Sequence, residues 1–338
     1  MYFTYLLIAF AAVVAVNCIF YLLFLKFGFL KQSGESVAVA PLSVIVYVKN
    51  HGEILEEFLN KLLKQSHGNF EFVLVNNASY DNSLDILEHF QQQNSNIQIV
   101  DVENNEAFWG SKKYALSLGI KKATHNTLLF VTPTAQDISK SWFSSMTSFL
   151  NEDKELVVGY ENFVKKKGFA GKLMRYNRFQ SFLQNFGLGS FSKPYFSSEN
   201  NLAYTSSLFF EANGFSTHMS IPTGTENLFI KEASTGKNTV IATDKESSVL
   251  SEIPSFKDWF NKAKFHQQSF KMFPGGIKFS LTMLYISQLL FWVGAIVGGI
   301  YFQNLIWFAL IGVRFLIVGF SVGKTCLLYT SPSPRDRG

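Results

Sequence analysis

The chain has 338 residues, 47% hydrophobic and 16% charged, with a net charge of +5. Such a length holds one domain of about 230 residues plus membrane segments, and the 36 Phe exceed ordinary usage. The mild positive charge carries no dense basic tract interleaved with aromatics, which argues against nucleic acid as a partner and suits a protein lying on an anionic membrane. Two cysteines, Cys18 and Cys326, give neither a disulfide framework nor metal-ligand spacing.

In chain order, Tyr2–Leu25 is apolar and uncharged, long enough to cross about 30 Å of hydrocarbon. It lacks the basic n-region and cleavage site of a signal peptide, so residues 1–31 read as a retained anchor. Lys26 and Lys31 follow it, and the positive-inside rule then puts the N-terminus outside and the next domain in the cytoplasm. Residues 32–40 are a polar linker. Leu42–Val48 is a β-branched run of the kind a strand buried on both faces gives. From Gly52 the period changes: Ile54, Leu55, Phe58, Leu59, Leu62 and Leu63 recur on one helical face, with Asn50 as the expected N-cap. Residues 70–75 return to strand, and Asn76-Asn77-Ala78-Ser79 leave it as a turn. A parallel βαβ unit opens its ligand crevice at the carboxyl ends of its strands, so Val48, Lys49, Asn76 and Asn77 should face one site.

Further on, residues 84–90 predict a helix, Ile97–Val102 a strand, 110–123 a helix and 128–131 a buried strand that Pro133 ends. Residues 141–150 predict a helix and 156–160 a strand. The Phe- and Lys/Arg-rich stretch 168–191 fits a helix in the membrane interface or one packed on the domain. Residues 277–300 and 305–322 are apolar, and the short turn between them makes a hairpin within a membrane unit at 275–325. Arg314 interrupts the second segment and must snorkel or face protein. From Cys326 the chain matches a translated sequencing adapter, so residues 326–338 are left out of fold reasoning and the natural protein is expected to continue.

The patterns S-V-I-V-x-x-x-N, L-x-x-L-L-x-Q and F-x-F-V-L-V-N-N-x-S-x-D-x-S resemble the opening of family 2 glycosyltransferases. The likeness continues through Gly110-Ser-Lys-Lys-Tyr-Ala-Leu, residues 128–134, Asn201-Leu-Ala-Tyr204 and residues 256–266, so it covers about 41–270. The resemblance implies a cytoplasmic GT-A domain, an α/β fold with a mostly parallel sheet flanked by helices, with transmembrane helices at both ends of the chain. It also implies a nucleotide-sugar donor, a lipid-linked or cell-envelope polysaccharide acceptor, and a multi-pass place in the plasma (inner) membrane of a bacterium.

By the same resemblance, Asn76 and Asn77 stand where the family usually carries a nucleoside-contacting aspartate, and Lys112 and Lys113 would help hold the nucleotide. Thr132 and Thr134 stand at the D-x-D that holds Mg²⁺ or Mn²⁺ against the diphosphate. Threonine hydroxyls are poor ligands for either ion; Asp137, three residues on, could substitute, although nothing in the spacing requires it. Glu226 matches the segment of the catalytic base, which takes the acceptor's proton in an inverting transfer. Asn201 and Tyr204 match an acceptor-side loop. His266 lies where Lys262 and Phe265 replace the family's Gln and Arg. Read as bare residues, the asparagines also suit a turn, Asp81 a helix cap, the lysines a solvated helix face, Glu226 a surface loop and His266 a structural role. Two functions therefore stand side by side: an active transferase, and a degenerate relative that binds a donor, a glycan or a partner enzyme.

Overall fold

The computed structural model describes residues 2–27, 40–103, 111–190 and 193–330. A long helix, α1 (Tyr2–Phe27), precedes an alternating run: β1 (Leu42–Val48), α2 (Gly52–Leu62), β2 (Phe70–Asn77), α3 (Ser83–Gln93), β3 (Ile97–Val102), α4 (Lys112–Lys122) and β4 (Thr127–Val131). Then come β5 (Ala135–Ile138), α5 (Trp142–Thr147), β6 (Leu156–Val158), β7 (Glu161–Phe163), α6 (Phe169–Gly189), β8 (Leu202–Thr205), α7 (Ser206–Glu211), α8 (Thr225–Ala233), β9 (Thr239–Ile241), β10 (Val249–Ser251) and α9 (Phe256–Phe270). Two long helices, α10 (Gly275–Tyr301) and α11 (Leu305–Thr330), close the described chain.

The main sheet runs β3-β2-β1-β4-β8-β6-β9, with β8 antiparallel to both neighbours; β5, β10 and β7 form a second, smaller sheet. β1 is central, paired in parallel with β2 and β4, and both its faces are covered. Strand residues alternate sides, and the two hydrophobic layers follow from that. Val44 and Val46 face α2, α3 and α5 through Leu55, Phe58, Leu87 and Trp142. Ile45, with Val73 and Val75, faces α4 and α6 through Leu116, Ile120, Phe182 and Phe186.

The expected cap differs. Asn50 lies in the left-handed region (φ 55°) and His51 takes the N-cap position of α2. Asn50 instead bridges two loops: its Oδ1 accepts from the Tyr80 amide and its own amide donates to Ser79 Oγ. Asp81 completes this clasp by accepting from the Gly52 and Ser83 amides. A carboxylate receiving amides at two helix starts is favoured there by the helix dipoles. The strand expected at 156–160 stops at Val158 as β6, because the chain leaves the main sheet at Gly159 and enters the small sheet as β7 at Glu161. Gly110 and the polar linker at 32–39 lie outside the described residues.

Three helices are long and apolar enough to cross a membrane: Tyr2–Leu25, Gly275–Tyr301 and Leu305–Thr325. Phe10 stacks on Trp307 with centroids 4.3 Å apart, and Ser321 Oγ donates to Tyr21 O. At its C-terminal end α1 joins the core of the domain. Tyr21 and Phe24 share one apolar layer with α6, and Gly187 on α6 leaves the space that the Phe24 ring fills. The C-terminal half of α6 is buried by this contact, whereas Phe169 and Tyr176 in its first half stay exposed. Arg314 is buried against aromatic faces, 4.1 Å from the Phe291 centroid and near Trp292 and Phe315. It faces protein, a cation resting on ring quadrupoles.

Candidate active site

A narrow cavity lies at the carboxyl ends of β1 and β4. Tyr47 comes from β1, Thr132 from the end of β4, Lys112 from the first turn of α4, Glu199 from the segment before β8, and Thr225 and Glu226 from the start of α8. Phe130, Tyr204 and Phe229 form its aromatic wall, with Tyr204 stacked on Phe130 at 4.5 Å.

At its centre the Lys112 ammonium donates to Glu199 Oε2 at 2.5 Å and to Glu226 Oε1 at 2.6 Å. The Tyr47 ring lies 5.3 Å from the same nitrogen. Burial alone would lower the pKa of this lysine, but the two carboxylates outweigh it and hold the ammonium well above its ordinary value. The ammonium in turn overrides burial at Glu199 and holds that carboxyl far below the usual range. Lys262 Nζ on α9 stands 3.4 Å from Glu199 Oε1.

The expected site residues divide. Glu226, Lys112, Thr132 and Tyr204 line the cavity. Lys113 does not: its ammonium is buried in a cage of backbone carbonyls, those of His218, Ile221 and Thr223. Burial pulls its pKa down to about 8 against the pull of Glu226 and Glu232. Consecutive helix positions point about 100° apart, so one lysine faces the cavity and the next the interior. Asn77 Nδ2 donates to the Tyr47 hydroxyl at 2.8 Å, behind the cavity wall, and Asn76 Nδ2 donates to Asp101 on β3. Asn201 is fully buried, accepting from the Trp142 indole and donating to the carbonyls of Tyr160 and Ser247. Asp137 is exposed on β5, in the small sheet. The side chain of His266 lies outside the described residues.

The Thr132-Pro133-Thr134 turn belongs to a second network. Asn200 Oδ1 accepts from the Thr132 amide and hydroxyl, and its Nδ2 donates to Thr134 Oγ1 and to Glu161 Oε1. Glu161, 2% exposed, also takes Arg178 and the hydroxyls of Ser198 and Ser251. Burial would raise its pKa, and these donors more than offset that.

The sequence profile of Glycosyl transferase family 2 matches residues 43–217, just over half of the chain. The chain belongs to this family. The curated glycosyltransferase GlyG of Streptococcus pneumoniae is 30% identical over 130 residues, 38% of this chain and 41% of that protein. EpsJ of Bacillus subtilis, an uncharacterized glycosyltransferase, is 27% identical over 117 residues, 35% and 32% of the two chains. The aligned part thus spans at most 41% of either relative. Among solved structures, the mannosyltransferase PcManGT of Pyrobaculum calidifontis, in complex with GDP-Man and Mn²⁺, superposes with a TM-score of 0.60 at 15% identity, covering 96% of this chain and 98% of that one. Staphylococcus aureus TarS gives 0.50 at 17% identity, covering 86% and 54%. These likenesses show the GT-A fold.

For a family 2 member, the donor set at the expected metal position does not suit a divalent ion. The two threonine hydroxyls are committed to each other and to Asn200. Among the described residues no group of three or more His, Cys, Asp or Glu is placed to hold a metal. Sequence reasoning missed Glu199 and Tyr47. Glu199 sits in a run of small polar residues, Ser197-Ser198-Glu199-Asn200-Asn201, and was detectable as the acid preceding the acceptor-side motif. Tyr47 is hidden inside an apolar strand, and only the end of the strand marks it as a wall residue.

Proposed function

We propose that this chain is a membrane-anchored glycosyltransferase that moves a sugar from a nucleotide-sugar to a lipid-linked or cell-envelope polysaccharide acceptor, with inversion at the anomeric carbon. The observation that carries this reading is the pairing of an ammonium and a carboxylate, Lys112 and Glu226, across one cavity at the strand ends of a family 2 domain. Glu226 takes the proton of the acceptor hydroxyl as its oxygen attacks the anomeric carbon. The bond from that carbon to the diphosphate oxygen breaks on the opposite face, and the nucleoside diphosphate leaves. A positioned base of this kind contributes about 10²–10⁴-fold. The three apolar helices span the plasma membrane with the domain on the cytoplasmic side. Exposed Phe169 and Tyr176 on α6 lie at the interface, where a lipid-linked acceptor comes within reach.

A second reading, a degenerate relative that binds a donor or a partner enzyme without turnover, is favoured by one observation: the turn at the family's metal position has no carboxylate, and its two hydroxyls are bonded to each other and to Asn200. The two readings separate in one assay. Full-length protein in detergent is given UDP- and GDP-sugars, and release of nucleoside diphosphate is followed for the natural protein and Glu226→Gln. The transferase reading expects slow donor hydrolysis that Glu226→Gln lowers at least about 100-fold. Donor binding with no turnover sinks it in favour of the second.

A further inference from the structure

The turn at the family's metal position, Thr132-Pro133-Thr134, supplies no carboxylate of its own to a cation, yet the cavity it borders holds a fixed positive charge, Lys112. We propose that Lys112 binds the donor's diphosphate without a metal ion, and that Glu199 occupies the diphosphate's place on Lys112 until the donor displaces it. This rests on the donor-binding reading above.

The charges require such an exchange. Lys112 and Lys262 only balance Glu199 and Glu226, so the resting site has no free positive charge for a diphosphate, and a phosphate oxygen reaches Lys112 only when a carboxylate leaves it. Glu226 is the worse candidate to leave. It is the first-turn acid of α8, held by the helix dipole, and its side chain is 19% exposed. Glu199 is 32% exposed and sits in a segment without helix or strand. It also has a second partner at hand, since Lys262 Nζ already lies 3.4 Å from its other oxygen. When Glu199 swings fully to Lys262, a phosphate oxygen takes its place on Lys112. Glu199 then stays paired with Lys262, Glu226 shares Lys112 with the phosphate, and no covalent bond changes. Lysine suits the task because its compact ammonium meets a phosphate oxygen as a point charge.

The exchange also serves the chemistry assigned to Glu226. While Lys112 is held by two carboxylates, Glu226 Oε1 is engaged by the ammonium. A diphosphate competing for the same ammonium loosens that contact and opens the oxygen to the acceptor hydroxyl when donor is present.

The test is isothermal titration of UDP and GDP into full-length protein in detergent, once with EDTA and once with MnCl₂. One nucleotide should bind with a Kd that agrees within about twofold between the two buffers. Glu199→Gln should tighten binding by about fivefold or more, Lys112→Met should weaken it at least about tenfold, and Lys112→Arg should retain most of it. Should Lys112→Met fail to fold, Glu199→Gln and Lys112→Arg still decide. Binding that requires Mn²⁺, or weaker or unchanged binding in Glu199→Gln, overturns this inference and leaves the donor reading standing. If neither the natural protein nor Glu199→Gln binds UDP or GDP in either buffer, the donor reading falls, and this inference with it.

Discussion

Two carboxylate clusters lie next to each other in this domain and are built on opposite plans. Glu161 is buried with Arg178, Asn200, Ser198 and Ser251 on its oxygens, so its capacity to accept is filled by the fold itself. Glu199 and Glu226 meet a single ammonium at the edge of a cavity, and their remaining oxygens face solvent or a surface lysine. Neighbouring residues feed the two clusters, Asn200 the first and Glu199 the second. A buried charge whose partners are saturated fixes a structure, and removing one partner is costly. A charge with exchangeable partners at a cavity marks a site.

The contrast predicts a graded series of effects. The largest is at Glu161: Glu161→Ala strands the Arg178 guanidinium and should cost about 3–5 kcal/mol, read as lost thermal stability in detergent or loss of folded protein. At Lys112 the penalty should be smaller, since water reaches the carboxylates it leaves behind. Lys112→Met should cost about 1–2 kcal/mol of stability while removing nucleotide binding. A mutation at Lys112 that unfolds the chain as Glu161→Ala does would erase the distinction.

Lys113 offers a test by pH. Its folded pKa is lowered to about 8 from an ordinary value of 10.5. Between these values the unfolded chain holds a proton that the folded chain has released, so stability from this residue rises with pH across that window, and the penalty is full below it. The stability of the natural protein relative to Lys113→Met should therefore rise, by about 1–2 kcal/mol, between pH 7.5 and pH 10. Melting curves of both proteins at the two pH values check it, and an unchanged difference would mean that Lys113 stays protonated in its carbonyl cage. The smallest effect belongs to Asp137, exposed in the small sheet: Asp137→Asn should move stability by less than about 0.5 kcal/mol and leave nucleotide binding unchanged with or without Mn²⁺.

Much of the first half of the domain was legible because its elements are locally determined. β1 and β2 read as apolar runs since both their faces are covered, and α2 showed its period through Leu55, Phe58, Leu59 and Leu62. The three apolar helices were equally plain from length alone. The second half was obscure because β6, β7, β9 and β10 are three residues each, too short for a period to show. At the site, Lys112 and Glu226 were found through the resemblance. Sequence order cannot say that Lys113 turns inward, that Asn201 is a core clasp, or that Glu199 reaches Lys112 across 87 residues of chain. Those placements depend on α4 and the segment before β8 meeting at the end of β4.

Where the donor sits is the decisive question for this domain. Hydrogen–deuterium exchange of the full-length protein with and without the UDP- or GDP-sugar that stabilises it most tests this directly. Protection should concentrate at the end of β1 around Tyr47, at the start of α4, in residues 197–202 and in the first turn of α8. Protection confined to the cleft between α2 and Pro133, Ala135 and Gln136, with none at α4 or α8, would contradict it.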